Sequence, residues 1–162
     1  NVKDLRKLQD RDTLLELLES LKELRSGRKK LKPILLKISP DLTIPQLDDT
    51  IAIVKETGID GIVAVNTTTS RDDLSYSKEY IEKIDYGGLS GKPLKDRSTE
   101  MIRYINEKTE GKIPIIGVGG IMSAEDALDK IKAGASLVQI YTGFIYEGPA
   151  LVKKINKAIL NG

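Results

Sequence analysis

The sequence predicts an α/β fold with parallel strands, a (β/α)8 TIM barrel of which this chain would form about half. Three observations lead there. Short apolar runs alternate with helical patterns along the whole chain, and that alternation implies parallel strands joined by helical crossovers. Polar and glycine residues gather just past the carboxyl ends of those runs, the face of a barrel that carries chemistry. The third is a missing signature: Gly117-Val118-Gly119-Gly120-Ile121-Met122 lacks the last glycine of G-x-G-x-x-G, which counts against a doubly wound dinucleotide-binding sheet. A whole barrel takes about 250 residues, and this chain has 162.

Residues 1–11 are polar and read as the end of a loop. Asp12 or Thr13 caps a helix to about Arg25, with Leu14, Leu15, Leu17, Leu18, Leu21 and Leu24 as one apolar face and Gly27 as its end. Residues 33–38 read as a buried strand with Lys37 inside it. A lysine in such a run either snorkels out at an edge or points at something negative. Ser39-Pro40-Asp41 turns the chain, Asp41 serving the turn or a cap. A helix over 45–57 follows, stopped by Gly58.

The second strand, 59–65, runs into Asn66-Thr67-Thr68-Thr69. These are either a plain turn or hydrogen-bonding groups held on a scaffold, with Thr68 and Thr69 read as turn-forming. Residues 70–97 make the longest connection, and a loop of that length is usually functional or disordered. It has room for a short helix between Arg71 and Lys83. It contains Tyr76, Tyr80 and Tyr86; Tyr76 and Tyr80 read as loop packing, and Lys92 and Arg97 as solvated surface within reach of a phosphate. Ser98 caps the next helix, which closes near Gly111.

The third strand, 114–121, ends in glycines. Ser123 caps the helix after it with Asp126 three residues on, and Gly134 stops that helix. Glycines remove the Cβ that would keep a ligand from the backbone, and free N–H groups beside a helix start suit phosphate. The fourth strand, 135–140, delivers Tyr141-Thr142-Gly143. A helical turn over 144–147 and a helix from Gly148-Pro149 to about Leu160 close the chain. The tally is four strands and about five helices.

Composition narrows the chemistry. The 26 Lys and Arg against 24 Asp and Glu are interleaved along the helices, so no nucleic-acid patch is expected. With no Cys and no His, the chain offers no disulfide, no Cys-ligated metal and neither Ser–His nor Zn–His chemistry. No metal site is expected. No apolar run approaches a membrane span, and no signal peptide is expected from the opening residues. The first residue is Asn1 rather than Met, so the chain reads as an excerpt of a longer protein.

Five segments taken together resemble one family. They are Lys37-Ile38-Ser39-Pro40-Asp41-Leu42-Thr43; Asn66-Thr67-Thr68; Gly87-Gly88-Leu89-Ser90-Gly91-Lys92-Pro93-Leu94; Gly117-Val118-Gly119-Gly120-Ile121; and Gly134 through Thr142. In order and spacing the series resembles dihydroorotate dehydrogenase of the quinone-using, membrane-associated class, over nearly the whole chain. The resemblance makes residues 1–162 the C-terminal half of one FMN-binding barrel domain. It implies oxidation of dihydroorotate to orotate on FMN in pyrimidine biosynthesis, with electrons passed to a quinone. It also implies cofactor contacts at Lys37, Val65, Ser90, Gly91, Gly119, Gly120, Tyr141 and Thr142, and substrate contacts at Asn1, Asn66 and Thr67.

Two departures matter. The family's catalytic base is a serine that would lie upstream of Asn1, so no catalytic residue is assigned here and the excerpt alone is expected to be inactive. Lys3-Asp4 also replaces a Pro-Gly turn of the family. Membrane contact is expected through parts outside this sequence. The family is peripheral, on the cytoplasmic side of the cell membrane in bacteria and on the mitochondrial inner membrane in eukaryotes. Two other readings stay open: another phosphate-binding barrel enzyme, or a non-catalytic half-barrel that self-associates through its open edges.

Overall fold

Four short strands, β1 (Leu35–Ile38), β2 (Gly61–Ala64), β3 (Ile115–Val118) and β4 (Leu137–Gln139), pair in parallel in the order β1-β2-β3-β4. The computed structural model describes residues 5–72, 74–84 and 87–161. Asn1, the Lys3-Asp4 departure and Tyr86 lie outside them. Each strand is shorter than its apolar run, because the outer residues of the run enter the loops.

Among the described residues seven helices connect and flank the strands: α1 (Arg11–Ser26), α2 (Ile44–Thr57), α3 (Lys78–Lys83), α4 (Lys95–Lys108), α5 (Ala124–Lys132), α6 (Thr142–Glu147) and α7 (Ala150–Asn161). That exceeds the expected five, because the two short pieces, α3 and α6, are full helical turns. Local chemistry sets several boundaries. Thr43 and Gln46 form a reciprocal capping box at α2, and Gly58 ends that helix in the left-handed conformation at φ 66°. Ser123 and Asp126 do the same at the start of α5.

Register decides between the two architectures. Lys37 pairs with Val63, Val63 with Ile116, and Val118 with Gln139. By strand alternation, Leu35, Lys37, Val63, Ile116, Val118, Leu137 and Gln139 share one face. The opposite face carries Ile38, Ile62, Ala64 and Ile115, which form the core with Leu14 and Leu18 of α1, Leu47, Ile51 and Val54 of α2, and Met101, Ile102 and Ile105 of α4. The first face is open, Leu35 being 39% and Leu137 62% exposed. A doubly wound sheet covers both faces with helices. A sequential parallel sheet with helices packed on one face is the geometry of part of a barrel wall.

Three expectations are corrected. The residue capping α1 is Asp10, in extended conformation and without a side-chain cap bond, rather than Asp12 or Thr13. In α1 only Leu14 and Leu18 are buried, while Leu17, Leu21 and Leu24 are exposed. Periodicity reports which residues are apolar, whereas burial needs a partner surface, and α1 packs mainly on α2. Ser98 does not cap a helix. A 3-10 turn at Lys92–Leu94 runs straight into α4, so Ser98 falls inside the helix, fully buried.

Candidate cofactor site at the strand ends

The carboxyl ends of all four strands open onto one cavity of about 260 Å³, near the lower end of the ~300–1,000 Å³ usual for small-molecule sites. Lys37, Val65, Asn66, Thr67, Ser90, Gly91, Gly119, Gly120, Tyr141 and Thr142 all line it. These are the residues that the sequence singles out as cofactor or substrate contacts, except Asn1, which is not among the described residues.

Each wall has a physical cause. Lys37 lies one residue before the end of β1, on the open face, and its ammonium has no hydrogen-bond or ion-pair partner among the described residues. Asn66 leaves β2 with its N–H bonded to Ile38 O at 2.8 Å, and the Val65 N–H bonds Val118 O at 2.8 Å. These bonds extend the sheet past its last strand residues and hold the loop roots rigid. The Asn66 side-chain oxygen accepts the Thr67 N–H at 2.9 Å. Its two amide N–H groups then remain to donate.

The loop after β2 folds back on itself. Thr68 and Leu89 form an antiparallel bridge, with N–H to O distances of 3.1 and 2.7 Å. Arg71 adds a bond to Gly87 O at 2.5 Å. Asp41 accepts the Thr68 hydroxyl and, from Thr69, the N–H at 3.0 Å and the hydroxyl at 3.1 Å. Asp41 is therefore a tie between the β1 and β2 loops and not only a turn residue. This closure delivers Ser90 and Gly91 to the cavity. Gly91 has φ 84°, and a Cβ there would stand 3.0 Å from Thr142 Cγ2.

The glycines after β3 form another wall. Gly119 and Gly120 have φ 119° and 73°, a region L side chains rarely enter. A Cβ on Gly120 would fall 2.3 Å from Lys95 Cα, so the loop packs backbone to backbone on the first turn of α4. The Ser98 hydroxyl donates to Val118 O at 2.8 Å and ties the same loop down. Opposite, Thr142 opens α6, whose first intrahelical bond is Ile145 N–H to Tyr141 O at 3.2 Å. The N–H groups of Thr142 and Gly143 precede that bond, and both residues line the cavity.

Lys37 is the only cation, and there is no carboxylate, among the described lining residues. Val65, Val118, Ile121 and Ile140 supply apolar wall. A lone cation, a glycine cradle and an apolar wall suit a ligand with an anionic end and a flat body. The phosphate-bearing flavin implied by the resemblance has that shape and charge.

Some residues fall elsewhere. Lys92 lines a neighbouring hollow with Tyr76 and Tyr146. Arg97 donates to Pro40 O at 3.0 Å and Leu42 O at 2.8 Å, which spends its guanidinium on the β1 loop instead of a phosphate. Tyr76 and Tyr80 stack at 5.1 Å, as loop packing expects. Leu94, Gln139 and Gly143 also line the cavity and were not singled out. Gln139 carried a signal, being a polar residue inside an apolar strand. Among the described residues no cluster of His, Cys, Asp or Glu could hold a metal, and no helix is long and apolar enough to cross a membrane.

Comparison with known proteins adds an independent line. The dihydroorotate dehydrogenase family profile matches residues 1–161. A dihydroorotate dehydrogenase (quinone) from Christiangramia forsetii is 58% identical over 160 residues, covering 99% of this chain and 46% of that protein. One of the same name from Trichodesmium erythraeum is 49% identical over 166 residues, covering 99% and 43%. The crystal structure of ligand-free type DHODH from Eimeria tenella superposes with a TM-score of 0.90 at 35% identity, covering 99% of this chain and 48% of that one. The chain spans about half the length of the curated relatives it matches.

Proposed function

This chain belongs to the dihydroorotate dehydrogenase family, and we propose that it forms the cofactor- and substrate-binding C-terminal half of a quinone-linked enzyme that oxidises dihydroorotate to orotate. The observation that carries this reading is the convergence of Lys37, Asn66, Ser90, Gly119 and Thr142, from all four strand ends, on one cavity. FMN, when bound, would accept the electrons from dihydroorotate and hand them to a quinone.

The chain's own residues have separable tasks. Gly119, Gly120 and the start of α6 would hold the phosphate through backbone N–H groups, with the Thr142 hydroxyl beside them. Gly91 and Ser90 would close over the cofactor. Lys37 holds a positive charge where electron density arrives. A fixed charge in a site shielded from water lowers the barrier without needing to reorganise. Asn66 and Thr67 would orient the substrate, Asn66 through its free amide N–H groups, and orientation alone is worth several orders of magnitude in rate. No residue here is assigned to take the proton. The open sheet face, with Leu35 and Leu137 exposed, would be covered by the other half of the barrel. The enzyme would sit peripherally on a membrane, through segments outside this sequence.

The test is spectroscopic. The complete protein that carries this sequence should purify yellow, or take up added FMN, and its absorbance near the flavin maximum should bleach on addition of dihydroorotate under anaerobic conditions. A colourless protein that binds no FMN would overturn the reading.

A further inference from the structure

Behind the glycine cradle lies a lysine for which the proposed mechanism has no use. Lys130 projects from α5 and is 0% exposed. Its ammonium donates to Lys95 O and to Thr99 Oγ1, both at 2.6 Å. Burial pushes it down to about 8. Burying a cation is costly even when it is hydrogen-bonded, and an apolar side chain would fill the same space at less cost. What the lysine adds is a directed link between two helices.

That link ends where the cradle rests. Lys95 is the residue whose backbone Gly120 touches. The Lys95 side chain turns the other way and bridges Asp126 at 2.6 Å and Asp129 at 3.2 Å. The second Asp126 oxygen accepts the N–H groups of Met122 and Ser123, each at 2.9 Å. The contacts therefore close a ring: Gly120 on the Lys95 backbone, Lys95 O to Lys130, Lys130 through α5 to Asp126, and Asp126 back to the loop that begins with Gly120. The stem of Lys130 also lies under β3, since a Cβ on Gly117 would stand 3.1 Å from Lys130 Cβ.

Resting on the reading of Gly119–Gly120 as a phosphate cradle, we propose that Lys130 is a positioning residue for that cradle: by holding the Lys95 carbonyl it sets the start of α4 against Gly120 and fixes the backbone amides that face the phosphate. Lys130 touches neither cofactor nor substrate. Its effect is confined to the phosphate end, because the ring includes the 120–123 loop and none of Lys37, Asn66 or Ser90.

The test compares FMN with riboflavin, which is FMN without the phosphate. The complete protein carrying this sequence is stripped of flavin, and both ligands are titrated by fluorescence quenching against wild type, Lys130→Met and Thr99→Val. Wild type should bind FMN far more tightly than riboflavin. Lys130→Met should lose about tenfold in FMN affinity, roughly the value of one hydrogen bond to a charged group, while riboflavin affinity is unchanged. Thr99→Val keeps the shape but removes one of the two lysine partners and the hydroxyl's own bond to Lys95 O at 2.9 Å, and should move the same way by less. Equal loss for both ligands, or an unchanged FMN preference in Lys130→Met, would overturn the role. Should Lys130→Met fail to fold, an unchanged preference in Thr99→Val would overturn it. A wild type that binds the two ligands alike would instead remove the phosphate cradle itself, a distinct result.

Discussion

The hydroxyls of Ser90 and Thr142 meet at 3.0 Å, across 52 residues of sequence. This contact joins the loop after β2 to the first turn of α6 and closes one side of the cavity. Thr142→Val keeps the shape and removes the hydroxyl. If Thr142 holds the phosphate as proposed, FMN affinity should fall about tenfold, because that hydrogen bond and the tie to Ser90 would be lost together. Flavin fluorescence titration reads it, and an unchanged Kd would place the phosphate elsewhere.

Lys37 should behave differently. In the proposed role its charge would act on the density that arrives during the reaction, so Lys37→Ala should slow anaerobic bleaching by dihydroorotate on the order of a hundredfold. FMN affinity should change only several-fold, as expected for an interaction made mainly in the transition state. Stopped-flow absorbance and a binding titration separate the two quantities. Equal losses in both would make Lys37 a simple binding residue.

The buried Lys130 gives a pH signature in stability. Its ammonium titrates at about 8 when folded against 10.5 ordinarily. Between these values the unfolded chain holds a proton that the folded chain has released, so this group's contribution to stability rises with pH. The full swing is on the order of 3 kcal/mol. Lys95 works the other way: the Asp126 and Asp129 carboxylates raise its value, and its contribution fades as pH climbs through the folded value. A difference measurement isolates Lys130. The unfolding free energy of wild type minus that of Lys130→Met should move in favour of wild type from about pH 7 to about pH 10. A flat difference would mean that the lysine is not buried as a cation.

Much of the architecture is local and could be read directly. Apolar runs of strand length, the Ser123 cap and the stop at Gly58 depend on neighbours a few residues away, and each appears where expected. The alternation of elements, with polar groups after each strand, also placed Lys37, Asn66, Gly119 and Thr142 at one end of a parallel sheet. The longer-range ties were not readable. Ser98 looked like a cap because it precedes an apolar-periodic stretch, yet Pro93 starts the helical path earlier. Lys130 drew no separate expectation, although it sits three residues after Ala127 on the inward face of α5, a hint that could have been used.

Local spacing along the chain thus specified the kind of elements, their order and the residue types at each strand tip. Packing in three dimensions settled which of those tips touch, which face of the sheet stays open, and that Arg97 and Asp41 hold loops together instead of meeting a ligand. The reason is physical. Periodicity and capping are interactions over a few residues, written into adjacent positions. A bond such as Arg97 to Leu42, 55 residues apart, exists only once the crossovers have brought the two segments to the same depth in the fold.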